Sequence, residues 1–117
     1  MKANELRLGN LLFDEKSNQI FEVQFSDLIA MQNGEIDYYR SIKITKEIVM
    51  NLGFAKHVKF KNTYCKGVFS VKFADSGLIY FKYNDFVVAE LFYIHELQNL
   101  YFLLTKREEL VFSSTEP

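Results

Sequence analysis

Cysteine and proline are almost missing from this chain of 117 residues, which has one of each and only five glycines. Because Cys65 is alone, it can form neither an internal disulfide nor a thiolate zinc site. The low proline and glycine content, together with 12 Phe and 7 Tyr, argues against a disordered chain. The sequence therefore predicts a single folded domain over residues 1–117, within the commonest size range for domains.

Long apolar runs are missing as well. The longest have four or five residues, whereas a membrane-spanning helix needs roughly 20. No apolar segment follows the polar start at residues 1–5, so we expect no secretory signal. The expected location is a reducing cytoplasm, and no membrane partner is expected.

Charge is unevenly distributed, although the net charge is only −1. Residues 1–47 carry six basic and eight acidic side chains, and residues 75–117 carry three and seven. Residues 48–74 contain no acid and five lysines, namely Lys56, Lys59, Lys61, Lys66 and Lys72. We call these five residues the lysine island, a positive segment in an acidic chain.

Alternating apolar residues and turn signals predict two antiparallel β sections. The first spans residues 8–44 and is expected to resemble a small open barrel, with residues 28–31 as a strand and Asn33-Gly34 as its hairpin turn. The second is a meander over residues 57–91. Its strands are expected at 57–61, 66–73, 78–83 and 86–91.

Two helices complete the predicted α+β fold. Thr45 is the expected N-cap of a short helix over residues 46–52, which ends at Gly53 with Phe54 packed against the turn. A C-terminal helix packs on the sheet through apolar residues spaced three and four apart. These residues are Ile94, Leu97, Leu100, Tyr101 and Leu104.

The polar side of the C-terminal helix lies away from this apolar stripe. It includes Gln98 and a possible secondary recognition edge formed by His95, Asn99 and Phe102. The periodicity leaves these side chains free for a partner.

No residue spacing matches a known catalytic or metal site. A nucleophilic pair of Cys65 with His57 or His95 is conceivable, but a packed thiol and two ordinary histidines are the preferred interpretation. Adjacent carboxylates such as Glu108 and Glu109 diverge and are typical of solvated surface. We therefore expect a protein that is not an enzyme, with no catalytic residue, metal or cofactor.

The lysine island predicts a binding surface. Lys59 and Lys61 would share one face of the predicted strand 57–61, and Lys66 and Lys72 would share a face of the next strand. With Tyr64 and neighbouring aromatic rings, this surface could hold phosphate groups and stack on a base. The alternative is that these lysines protect an exposed sheet face or edge.

Three stretches form a recognisable series: MKANELRLGNLL at the start, IKITKEIVMNLGF at residues 42–54, and YIHELQNLYFLLT at residues 93–105. In this order they resemble a family of small proteins from phages, prophages and integrated mobile elements of Bacteroidota. The matching residues are Leu6, Arg7, Leu8, Gly9 and Asn10 in the first stretch, Thr45, Glu47, Gly53 and Phe54 in the second, and His95, Leu97, Gln98, Asn99, Leu100, Tyr101 and Phe102 in the third. The lysine-rich β section lies outside the resemblance.

The resemblance implies a phage or prophage protein that acts in a bacterial cytoplasm, and it supplies no catalytic residue. Small non-enzymatic phage proteins often act by occupying a host protein, so it implies an anti-CRISPR-like inhibitor of a host defence nuclease. The expected partner is an RNA-guided RNase or its guide RNA complex. The alternative is an accessory protein that binds single-stranded nucleic acid, for example RNA, through the lysine-rich face of residues 56–72.

Overall fold

The computed structural model describes residues 3–106 and 108–112, apart from the side chain of Asn4. A 3-10 helix at Ala3–Glu5 precedes three α-helices and two antiparallel sheets, which confirms the α+β class. The helices are α1 (Phe25–Gln32), α2 (Lys46–Asn51) and α3 (Ile94–Leu104). The strands are β1 (Leu11–Asp14), β2 (Gln19–Glu22), β3 (Tyr39–Arg40), β4 (Ala55–Lys56), β5 (Thr63–Lys66), β6 (Phe69–Phe73), β7 (Ile79–Tyr83) and β8 (Phe86–Glu90). Within these described residues, no helix is both long and apolar enough to cross a bilayer.

The N-terminal section is an open three-stranded sheet in the order β2-β1-β3. Asp14 shapes the turn between β1 and β2, because its carboxylate accepts a 2.8 Å hydrogen bond from the Lys16 backbone amide. Asn18 completes the turn with a positive φ of 59°, a conformation that asparagine tolerates better than most residues. These local contacts set the register that pairs Leu12 with Phe21.

The prediction of a strand at residues 28–31 was wrong, because these residues lie in α1. A capping box starts this helix: the backbone amide of Gln24 donates to Asp27 Oδ2 at 2.9 Å. Asn33 and Gly34 end the helix and do not form a hairpin turn, since the Asn33 amide donates to the Ile29 carbonyl. Residues 35–44, the remainder of the predicted first β section, contain only β3 and a single bridge between Lys43 and Tyr93.

The short central helix is confirmed as α2. The Thr45 hydroxyl accepts a hydrogen bond from the Ile48 amide at 3.3 Å, as expected for an N-cap. Gly53 follows the helix with a φ of 98°, which a side chain would strain. Phe54 is buried directly behind it.

The second section is a five-stranded meander in the order β4-β5-β6-β7-β8. Two predicted strands were wrong in detail. Residues 57–61 form turns, and residues 66–73 are divided by a hairpin turn at Gly67 between β5 and β6. The hairpin has a physical cause, since Gly67 adopts a positive φ of 61° that reverses the chain.

One cluster of buried side chains connects the two sheets through α3. Leu11 of the N-terminal sheet and Phe81 of the meander both belong to this cluster, together with Ile94 and Leu97 of α3. The C-terminal helix thus packs on the sheet, as predicted. Leu104, which was expected in the core, is 47% exposed because the apolar stripe turns away at the end of the helix.

Candidate binding groove

A groove of about 680 Å³ lies on the side of the meander opposite α3. Its floor follows from strand register: Cys65 lies opposite Ser70 on neighbouring strands, and Ser70 lies opposite Lys82. Directly paired residues point to the same face of a sheet. Because Cys65, Ser70 and Thr63 are small, the floor is low and leaves space between longer neighbours.

Three lysines line this groove: Lys61, Lys72 and Lys82. Within the part of the chain that the structure describes, none of their ammonium groups forms an ion pair or a hydrogen bond. Lys72 pairs with Tyr80, and Ser70 pairs with Lys82, so Lys72 and Lys82 are diagonal neighbours on one face. Diagonal neighbours lie about 7–8 Å apart, within reach of long side chains, so both lysines can extend toward the same part of the groove.

The structure therefore divides the predicted lysine surface. Lys61 and Lys72 line the groove, whereas Lys56, Lys59 and Lys66 do not. The prediction that Lys66 and Lys72 share a face was wrong, because the Gly67 turn places them on different strands with opposite orientations. Lys66 lies opposite the buried Phe69, on the side of the sheet that faces the core.

Lys82 was missed because it lies ten residues beyond the lysine island, in a segment read only as an apolar strand. Its alternation with Phe81 and Tyr83 was the available signal. Tyr64, which was assigned to the binding surface, is buried on the core side of the sheet. Its ring packs edge-on against Phe73 with centroids 5.8 Å apart.

The loop over residues 57–62 forms one wall of the groove. His57 holds this loop in place: its Nδ1 accepts hydrogen bonds from the backbone amides of Lys59 and Phe60, both at 3.0 Å. The His57 and Phe60 rings lie against each other, with centroids 4.7 Å apart. Asn62 ends the loop and accepts a 2.8 Å hydrogen bond from Lys46 of α2. An aromatic surface thus borders the lysines.

Acidic residues stand at the two ends of the groove. Asp75 lies in the turn between β6 and β7, and Asp85 lies in the turn between β7 and β8. These turns are at opposite ends of β7. The positive region is therefore bounded along the strand direction by one carboxylate at each end.

Cys65 lies at this groove together with His57. Burial raises the pKa of the Cys65 thiol, which disfavours the nucleophilic thiolate. No hydrogen bond joins Cys65 to His57 in the described ranges. Nor do residues 3–106 and 108–112 contain a group of three or more His, Cys, Asp or Glu side chains that could hold a metal ion.

The predicted recognition edge on α3 is occupied by contacts within the chain. Asn99 Oδ1 accepts hydrogen bonds from Asn10 Nδ2 at 2.8 Å and from Arg7 Nε at 3.3 Å. The Arg7 guanidinium lies 3.8 Å from the centre of the Phe102 ring. His95 is also buried, and its Nδ1 has no hydrogen-bond partner among the described residues. The N-terminal and C-terminal motifs therefore contact each other directly through these side chains.

A wider concavity of about 930 Å³ lies beside α1, lined in part by Tyr39 and Arg40. Arg40 is already paired with Glu15 at 3.0 Å. Burial, followed by the hydrogen bond from the Tyr39 hydroxyl to Asp27, raises the pKa of Tyr39 to about 12. Arg40 and Tyr39 therefore already have partners within the chain, which leaves Lys43 as a further cation at this concavity. The groove over the meander is lined by three lysines.

The meander also has two unequal edges. β4 is only two residues long and carries Lys56. A short length and a lysine both protect an edge strand from pairing with another chain. β8 is longer, and its apolar residues Phe86, Val87 and Val88 are exposed, with Phe86 at 75%. Such an edge is open to pairing with another strand.

This fold defines an α+β domain with an open meander and a basic groove. Comparison of the chain with protein-family models, with curated proteins and with solved structures finds no match.

Proposed function

We propose that this chain is a non-enzymatic phage or prophage protein that binds and inhibits a host defence nuclease in the bacterial cytoplasm. The observation that carries the proposal is the exposed apolar edge of β8. A partner strand added there would satisfy the free backbone groups of the edge and would cover Phe86 and Val88. Surfaces of this kind are typical of protein–protein contacts.

The proposed partner is an anti-CRISPR target, namely an RNA-guided RNase or its guide RNA complex. This choice rests on the resemblance of the N-terminal, central and C-terminal motifs to a phage and prophage family. The groove beside the edge, with Lys72 and Lys82, could meet an acidic protein surface or an exposed guide RNA. Inhibition would then be stoichiometric and would require no catalytic residue of this chain.

An affinity pull-down from host lysate, with and without nuclease treatment, tests the proposal. We expect one host protein to co-purify at a fixed ratio and to remain bound after nuclease treatment. Val88→Lys should abolish its recovery, because a charged side chain on an edge strand opposes strand pairing. Val111→Lys is the matched control, since Val111 is 73% exposed and lies outside the meander. Recovery of nucleic acid without a stoichiometric protein would contradict the proposal.

A second candidate function is the binding of single-stranded nucleic acid as an accessory protein. The observation that favours it is the convergence of Lys61 and Lys72 with the Phe60 ring at one groove. Cations beside an aromatic surface are the usual elements of such sites. The net charge of −1 works against general affinity for phosphate, so the inhibitor remains the preferred proposal. Binding of free RNA that weakens steeply with salt would favour the second function.

A further inference from the structure

We infer that the groove over the meander is a bounded site for one mononucleotide or dinucleotide, with phosphate held between Lys72 and Lys82 and a base against Phe60. This inference deepens the second candidate function and rests on it, because both use the same groove. It differs in the ligand, which is a mononucleotide or dinucleotide unit and not an extended strand.

The placement of charge supports a phosphate position. Lys72 and Lys82 are diagonal neighbours across β6 and β7, and they have no carboxylate partner among the described residues. A phosphate placed between the two ammonium groups would accept a charge-assisted contact from each of them. Lys61 approaches the same space from the loop that forms the wall. The floor leaves room for the anion because Cys65 and Ser70 are small.

The wall supplies a surface for a base. Phe60 is 62% exposed, and its backbone amide donates a hydrogen bond to His57. His57 accepts two backbone hydrogen bonds from this loop and lies against the Phe60 ring, so the ring is positioned before any ligand arrives. Stacking of bases on aromatic rings is a usual source of affinity in single-strand binders.

The ends of the groove limit the size of the ligand. Asp75 and Asp85 lie at opposite ends along β7. A polynucleotide that continued past either end would bring its next phosphates toward a carboxylate. The groove volume of about 680 Å³ also lies within the range of roughly 300–1,000 Å³ that is usual for small-ligand sites. The geometry therefore favours a unit that fits between the two acids.

Isothermal titration of the full chain at low salt tests the inference with defined probes: inorganic phosphate, adenosine, AMP, the dinucleotide pApA and a long single-stranded oligoadenylate. We expect AMP or pApA to bind more tightly than phosphate or adenosine alone. The long oligoadenylate should gain no affinity per binding site over pApA. Lys72→Gln combined with Lys82→Gln should weaken pApA binding by about tenfold or more, since the two substitutions remove both charge-assisted contacts to the phosphate. Phe60→Leu should weaken pApA but not inorganic phosphate.

The matched control is Lys56→Gln combined with Lys59→Gln, which makes the same change in net charge outside the groove. It should leave pApA binding unchanged, and circular dichroism should show all variants folded. Equal weakening by both double variants would mean general electrostatic attraction and would overturn the site. Affinity that rises steadily with oligonucleotide length would overturn the bounded site while supporting single-strand binding. Binding of a polyglutamate peptide in place of nucleotides, or no binding of any probe, would overturn both groove functions.

Discussion

Gln98 Oε1 accepts a hydrogen bond from the backbone amide of Leu11 at 2.8 Å. The same side chain donates through Nε2 to the Gly9 carbonyl at 3.2 Å. Gln98 therefore pairs with the start of β1 as a neighbouring strand would, donating once and accepting once. Because Leu11 is buried, its backbone amide would otherwise lack a hydrogen-bond partner.

Gln98→Met is expected to lower the free energy of unfolding by about 1–3 kcal/mol, because it removes the partners of the buried Leu11 amide and the part-buried Gly9 carbonyl while keeping the side-chain volume. Urea unfolding measures the effect. Gln32→Met is the matched control, since Gln32 is exposed at the end of α1 and should change stability by less than about 0.5 kcal/mol. Equal losses in the two variants would contradict a specific role for Gln98.

Arg7 and Glu109 form an ion pair at 2.6 Å, but we expect unequal effects from the two residues. Arg7→Ala also removes the contact with Phe102 and the hydrogen bond to Asn99, and should destabilise by about 1–3 kcal/mol. Glu109→Gln removes only a half-exposed partner and should cost less than about 1 kcal/mol. Thermal unfolding of both variants checks this order, and a larger loss for Glu109→Gln would reverse the assignment.

Two leucines of α3 should respond differently to truncation. Leu97 is fully buried, so Leu97→Ala is expected to cost about 2–5 kcal/mol. Leu104 is 47% exposed, so Leu104→Ala should cost less than about 1 kcal/mol. Chemical denaturation of the pair measures the difference, and similar losses would mean that the helix presents another face to the sheet.

His95 should make stability depend on pH. Burial lowers the pKa of His95 below the usual 6.5, against a smaller opposite effect of Glu96 and Glu5. The pKa of His95 is therefore lower in the folded chain than in the unfolded chain. At a pH between these two pKa values the unfolded chain binds more protons, so the free energy of unfolding falls as the pH drops below about 6.5. Stability curves between about pH 7.5 and about pH 5.5 should show this decline.

His95→Leu should flatten that pH dependence, whatever its effect on stability at neutral pH. His57→Asn is the control and should keep the dependence, because it removes the other histidine of the chain. A pH profile that is unchanged in His95→Leu and flattened in His57→Asn would show that His57, and not His95, causes the pH dependence of stability.

Cys65→Ser should leave binding of the host partner intact. Burial raises the pKa of the thiol, and the proposed function uses no nucleophile. The pull-down that tests the inhibitor also measures this variant. Loss of partner binding by a normally folded Cys65→Ser protein would instead favour nucleophilic chemistry at the groove.

Local signals in the sequence were sufficient to predict the structure where a single residue determines it. Thr45 and Gly53 mark the two ends of α2, and their chemistry acts over a few residues. The same kind of signal is ambiguous around α1, where the Asn33-Gly34 pair predicts a hairpin turn but ends a helix. The capping pair Gln24 and Asp27 indicated a helix, but the short apolar run between these signals fits either structure.

Contacts between distant segments could not be predicted in this way. Helical periodicity placed His95 and Gln98 on an exposed side, but both are buried, and Gln98 hydrogen-bonds to the start of β1. The groove has a similar origin, because Lys72 and Lys82 meet through strand register and not through sequence proximity. Charge alone was enough to predict Lys61 and Lys72 as binding residues. The turn at Gly67, which places Lys66 on the other face of the sheet, could not be predicted from charge.

The contacts of Asn10 and Leu11 with α3 join positions about 90 residues apart in the chain. During synthesis, β1 emerges from the ribosome long before the segment that contains Gln98 and Asn99. The buried end of β1 must therefore wait for α3, and the N-terminal sheet can reach its final packing only late in translation. A nascent chain stalled before Ile94 would expose this apolar surface to chaperones.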